Sequence, residues 1–228
     1  MIGVILLVLT WLLLRFEGKS LSAIGFNQPV KRTTEFTWGI LLATAFVVVQ
    51  FLLIAYFAGF EWRLNPDFNL RDVLLSARWN VNSVLFEEFI FRGYLLYKII
   101  SMVGTRRGCW LSAAAFGIYH WFSYEVFGAP VQMIYVFVLT GMFGLMLAYA
   151  FAKTGSLFLP VALHLGWNLT TGMVFSNGPL GEQLLLPSQT EMAVLTAVQQ
   201  LLTSIAIPML LVGLVIWLLR DQPGRFGN

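Results

Sequence analysis

Two adjacent carboxylates and an arginine, Glu87, Glu88 and Arg92, stand in the run Phe86-Glu87-Glu88-Phe89-Ile90-Phe91-Arg92-Gly93-Tyr94, whose other members are mostly apolar. The chain has 2 histidines, His120 and His164. Each lies in an apolar segment, Phe116-Gly117-Ile118-Tyr119-His120 and His164-Leu165-Gly166-Trp167-Asn168. An ionisable side chain at the bilayer centre costs about 2.5–3.5 kcal/mol on insertion scales, so charges are kept there when they are paired, hydrogen-bonded or in use.

On a helix, Glu88 and Arg92 are four residues apart and share a face, while Glu87 sits one step round, about 100° away. The pair by itself reads equally well as a buried structural ion pair. That leaves Glu87 unexplained, because a second carboxylate beside the first repels it. A carboxylate held in a dry site is a candidate general base. Phe116 and His120 are also four apart, which lets Phe116 pack on the same face and orient the imidazole. His164 and Asn168 repeat the spacing. Taken singly, a lone histidine on an apolar helix is more often a satisfied core residue. Two neutral polar groups on one helix face are most often glue between helices. Together, three helices each offer a polar group, and no other helix offers a His, acidic or basic residue in mid-span.

Other catalytic sets are missing from the chain. There is no Gly-x-Ser-x-Gly elbow and no His-Glu-x-x-His, and Cys109, the one cysteine, has no histidine near it in sequence. What remains is a carboxylate and a histidine able to activate water, with a second histidine and an asparagine able to donate hydrogen bonds to a developing oxyanion. Such a set can hydrolyse an amide within a membrane protein.

The elements that must position these residues follow from composition. Of 228 residues, 58% are hydrophobic and 11% charged, with a mean hydropathy of +0.78. Soluble domains carry about a quarter charged residues, so this is an integral membrane protein. The expected fold is all-α: one polytopic helical bundle of about seven, six to eight, transmembrane helices, with residues 1–228 as a single domain and the chemistry in 79–175. The spans are expected at Met1–Leu14, Phe36–Phe60, Trp79–Met102, Cys109–Tyr124, Val131–Ala152, Leu157–Phe175 and Glu191–Leu219. The first is short, about 21 Å at ~1.5 Å per residue against a core of ~30 Å. It has no basic residues before it, so it reads as a retained helix and not a cleaved signal. Pro160 falls in a first turn, where proline is tolerated, and Pro208 is expected to kink the last helix.

Loop charge sets the orientation. Arg15, Lys19, Lys31, Arg32, Lys98, Arg106, Arg107, Lys153, Arg220 and Arg225 fall on one side, and Arg63, Arg71 and Arg78 on the other. This bias predicts a cytoplasmic C-terminus. The net charge of +3 is loop charge without a dense basic patch, which argues against a nucleic-acid partner. The expected setting is a multi-pass protein of a bacterial or archaeal cell membrane, with the lipid bilayer as its first partner. Asn168-Leu169-Thr170 matches a glycosylation sequon, but it lies in mid-helix and reads as a false positive.

The three segments resemble the type II CAAX prenyl endopeptidase and bacteriocin-processing family, also called the Abi or CPBP intramembrane proteases. Its motifs are Glu-Glu-x-x-x-Arg, Phe-x-x-x-His and His-x-x-x-Asn, in that order on separate membrane helices. All three are complete here, at Glu87 to Arg92, Phe116 to His120 and His164 to Asn168. The resemblance implies an intramembrane endopeptidase that cuts near the C-terminus of a membrane-associated or prenylated, CAAX-type, peptide or protein. It implies that Glu87 and His120 activate the attacking water, that His164 and Asn168 form an oxyanion hole, and that Glu88 and Arg92 hold the geometry by pairing. It implies no cofactor in the glutamate-protease reading. The alternative is a zinc enzyme with Glu87, His120 and His164 as ligands.

Two further functions stand beside the peptidase. One is a non-catalytic membrane partner, such as a bacteriocin-immunity factor or adaptor that keeps the fold. The other is a small proton-coupled carrier using the buried carboxylates, although the chain is short for one and shows no inverted repeat.

Overall fold

The computed structural model describes residues 2–176, 178–181, 183–224 and 226. Met1 and Arg225, which entered the span and charge expectations, lie outside the described residues. The described chain is nearly all-α, as expected. Among the described residues, three stretches are long and apolar enough to cross a membrane, Leu21–Ala58, Pro130–Thr154 and Ala197–Leu219.

The helices are α1 (Ile2–Phe16), α2 (Pro29–Ala58), α3 (Leu70–Phe91), α4 (Tyr94–Val103), α5 (Thr105–Ser123), α6 (Pro130–Thr154), α7 (Phe158–Leu169), α8 (Ala197–Leu201) and α9 (Ile207–Leu219). Several boundaries differ from the hydropathy reading, each for a local reason. The N-terminus of α2 is at Pro29, seven residues before Phe36, because proline suits the first helical turn, where its missing N–H costs nothing. Likewise α3 begins at Leu70 and not Trp79, because Asn69 and Asp72 form a reciprocal capping box.

The expected third span is broken in two. Arg92 caps α3 with its N–H on the Glu88 carbonyl, 2.8 Å away, and α4 restarts at Tyr94. Gly93 makes the break possible: a Cβ there would run into the carbonyl oxygen of Phe89. At the other end, the last helix starts at Ala197, capped by Thr196 and Gln199, and not at Glu191. It passes through a wide π-helical stretch, Leu202–Ala206, just before Pro208. Proline has no N–H and crowds the carbonyl one turn back, and the wider turn accommodates that defect. A second π-helical stretch, Thr170–Phe175, extends α7.

A short antiparallel pair, β1 (Trp62–Leu64) with β2 (Leu185–Pro187), was not anticipated. Its register, Trp62 opposite Pro187 and Leu64 opposite Leu185, ties the loop after α2 to the loop before α8.

Small residues let the helices approach. A Cβ on Gly39 of α2 would lie 2.7 Å from the Ala162 Cβ of α7, and one on Gly166 of α7 would lie 2.8 Å from the Ile40 carbonyl oxygen. Close backbone approach through small residues is how membrane helices pack when burial from water gives no drive. One apolar cluster joins α1, α3, α4 and α6 through Leu14, Phe89, Leu96 and Phe151. Another joins α2, α6, α7 and α9 through Ala43, Met146, Leu163 and Leu211.

Candidate active site

The C-terminal end of α3 carries Glu87, Glu88 and Arg92, all buried, with Glu88 and Arg92 fully shielded from solvent. Arg92 Nη1 donates to Glu88 Oε1 at 2.9 Å, and its Nη2 donates to the Gly144 carbonyl of α6 at 3.2 Å. The guanidinium also lies over the Phe116 ring, 4.1 Å from its centroid. It is thus held by a carboxylate, a carbonyl and an aromatic face at once, contacts that offset the cost of burying it. Gly144 is small for a reason: a Cβ there would sit 2.9 Å from Phe116 Cδ1 and 3.1 Å from Arg92 Nη2.

His120 comes from the last turn of α5. Its Nδ1 lies 2.8 Å from the Phe116 carbonyl oxygen. A carbonyl cannot donate, so Nδ1 carries the proton and, in the neutral ring, Nε2 is left as an acceptor. The Phe116 ring packs on the imidazole with centroids 4.4 Å apart. Phe116 therefore orients His120 through its backbone as well as its ring.

His164 comes from the middle of α7. Its Nδ1 donates to Glu88 Oε1 at 2.8 Å, the same oxygen that accepts from Arg92. The opposite edges of both imidazoles meet Glu87: its Oε2 lies 3.7 Å from His164 Nε2 and 4.0 Å from His120 Nε2. That Glu87 oxygen is buried and has no hydrogen-bond partner. Two imidazoles with fixed Nδ1 atoms thus present their Nε2 atoms to one uncommitted carboxylate oxygen.

Glu87, His120, His164 and Asn168 all line one cavity of about 400 Å³. Phe116, also on its wall, separates it from Arg92, while Glu88 lies behind His164. The cavity brings in residues that the motif reading did not include: Gln50 from α2, Ser83 from α3, Tyr124 just after α5, Thr140 from α6 and Ser204 from the π-helical stretch before α9. Gln50 was the findable one. It is the single amide in an uncharged 25-residue span, but unlike Asn168 it has no histidine or charged residue one helical turn away to mark it.

A zinc ion was the alternative occupant of Glu87, His120 and His164. Donors on a tetrahedral zinc with bonds of about 2.0–2.2 Å lie about 3.3 Å from one another. The separations of 3.7 and 4.0 Å are wider, and among the described residues no group of three such side chains is placed to hold a metal ion. The side chains as positioned do not fit zinc.

Residues 69–170 match the model of the Rce1-like family, described as type II CAAX prenyl endopeptidase Rce1-like. All three motifs fall inside this stretch, so the resemblance carried by them is shown there. The family is a protease family, and with the apolar helices it supports an integral membrane protein. No curated protein and no solved structure matches the chain.

Proposed function

We propose, from this family match and the site geometry, that the protein is an intramembrane endopeptidase hydrolysing a peptide bond near the C-terminus of a membrane-associated or prenylated, CAAX-type, substrate. The observation that carries the reading is the uncommitted Glu87 oxygen facing two oriented imidazoles at a cavity wall.

Glu87 Oε2 and His120 Nε2, 4.0 Å apart, are spaced to share one water, since two hydrogen bonds of about 2.8 Å to one oxygen place their far ends about 4.0–4.5 Å apart. Glu87 takes a proton from that water as its oxygen bonds to the scissile carbonyl carbon. His120 Nε2 accepts the other water hydrogen and aims the oxygen. The carbonyl oxygen becomes an oxyanion and accepts from Asn168 and from His164 Nε2. A His164 ring that donates from both nitrogens is cationic; Glu88, already paired with Arg92, accepts from its Nδ1, and the Glu87 carboxylate beside Nε2 supplies the second negative charge before the water is deprotonated. Collapse of the tetrahedral intermediate breaks the C–N bond, and Glu87 returns its proton to the leaving amine. The reaction needs no cofactor, and Arg92 and Phe116 act by holding Glu88 and His120 in place. The ten-to-three bias of loop cations puts the C-terminus on the cytoplasmic side.

The test is cleavage of a prenylated CAAX peptide by purified protein in detergent, with Glu87→Gln beside the wild type and a zinc chelator added. Loss of about 10²–10⁴ in rate in Glu87→Gln, with wild-type cleavage unaffected by chelator, is the expected result. Full activity in the Glu87→Gln protein would overturn the reading.

A further inference from the structure

A second cleft, of about 610 Å³, opens at the basic end of the bundle between α5, α6 and α9. Its wall includes Trp110, Leu145, Tyr149 and Ile216, and Arg106 and Lys153 stand among them. Arg106 is in the first turn of α5 and Lys153 in the last turn of α6, so both sit at helix ends, where the bilayer meets water.

Of the other cations at this end, Arg15, Lys19, Lys31 and Arg107 also have no ion pair among the described residues but do not line the cleft, and three are matched by carboxylates. Lys98 is paired with Glu17, Arg32 with Glu35 and Arg220 with Asp221. Among the described residues, Arg106 and Lys153 have no carboxylate within ion-pair distance. Lys153 is nonetheless held still: its Nζ donates to the Arg220 and Gln222 carbonyl oxygens, both at 2.8 Å, and lies 5.5 Å from the Tyr149 ring centroid. An ammonium has three hydrogens, so one is left for a ligand. Trp110, about half exposed, supplies an interfacial ring beside Arg106.

We propose that this cleft binds an anionic phospholipid, with its phosphate between Arg106 and Lys153 and an acyl chain along Leu145, Trp110 and Ile216. The charge argument selects this occupant. Two cations lacking carboxylates above an apolar groove complement an amphiphile with a negative head, whereas a zwitterionic lipid brings its own cation into the same space. Basic pockets between membrane helices are known to take such head groups. The site is separate from the Glu87 cavity, and the inference does not depend on the peptidase reading.

Trp110 provides the readout. The protein is reconstituted in phosphatidylcholine vesicles containing brominated phosphatidylglycerol or, at the same mole fraction, brominated phosphatidylcholine, and tryptophan quenching is compared. Stronger quenching by the anionic lipid is expected. Trp110→Phe removes that excess, and Arg106→Gln and Lys153→Gln each lower the selectivity about fivefold. Quenching by brominated phosphatidylcholine stays unchanged in Arg106→Gln and Lys153→Gln, which shows that they remain inserted and folded. Equal quenching by the two lipids in the wild type, or selectivity that survives Arg106→Gln with Lys153→Gln, would overturn the proposal. Loss of the selectivity on adding millimolar inorganic phosphate would also overturn it, assigning the site to a free anion.

Discussion

His164 Nδ1 and Arg92 Nη1 converge on one oxygen, Oε1 of Glu88, at 2.8 and 2.9 Å. Glu88 therefore joins α7 to the end of α3, and the imidazole that faces Glu87 is positioned by the same carboxylate that neutralises the buried arginine. The two neighbouring glutamates divide the work by direction: Glu88 points to its partners and Glu87 to the cavity.

Glu88→Gln should unfold more easily than Glu87→Gln. Removing one partner of a buried pair leaves Arg92 uncompensated, which costs about 3–5 kcal/mol. The check is the thermal midpoint in detergent. Replacing both members, Glu88→Gln with Arg92→Met, should recover much of that stability but not cleavage, because His164 has lost its anionic partner.

Gly144→Ala should lower both stability and cleavage. The added methyl meets Phe116 at 2.9 Å and Arg92 Nη2 at 3.1 Å, and overpacking of this kind costs about 1–3 kcal/mol. Because Phe116 carries the carbonyl that orients His120, the displacement reaches the water-activating ring. The measurement is kcat beside the thermal midpoint. Lost stability with unchanged kcat would separate Phe116 from the chemistry.

Asn168→Ala should lower kcat by about 10²–10³ with little change in KM, the pattern of a group that binds the transition state and not the ground state. An effect confined to KM would instead make Asn168 a substrate-binding residue.

Away from the site, Glu17 predicts a pH effect. A hydrogen bond from Lys98, and then one from Tyr94, hold its carboxyl below the usual glutamate range. A lowered folded-state value means that the contribution is present above the ordinary glutamate range and is lost as pH falls through that range to the folded-state value. Thermal midpoints measured from about pH 7 down to about pH 3 should fall more steeply for the wild type than for Glu17→Gln. Equal slopes would show that this surface link between α1 and α4 contributes nothing to stability, as many exposed pairs do.

Much of the site was legible because it is local. Helical geometry places residues four apart on one face, so Glu88 with Arg92 and Phe116 with His120 follow from spacing alone. The membrane class follows equally directly from 58% hydrophobic and 11% charged residues. The breaks in the helices were less legible. Gly93 permits the break in the expected third span because it has no Cβ to meet the Phe89 carbonyl oxygen, a steric condition that hydropathy averages do not register. The β1–β2 pair depends on residues more than a hundred positions apart and leaves no periodic signal.

Only the tertiary structure decided which groups meet across helices. His164 reaches Glu88 over 76 positions, Arg92 reaches the Gly144 carbonyl over 52, and Gln50 enters the cavity from a helix that carries none of the motifs. The physical reason is that sequence spacing sets the angle of a side chain about its own helix axis, while the depth and rotation of one helix against another are set by packing. Here that packing turns on where a Cβ is absent, at Gly39, Gly144 and Gly166, and it brings both imidazoles to the same face of Glu87.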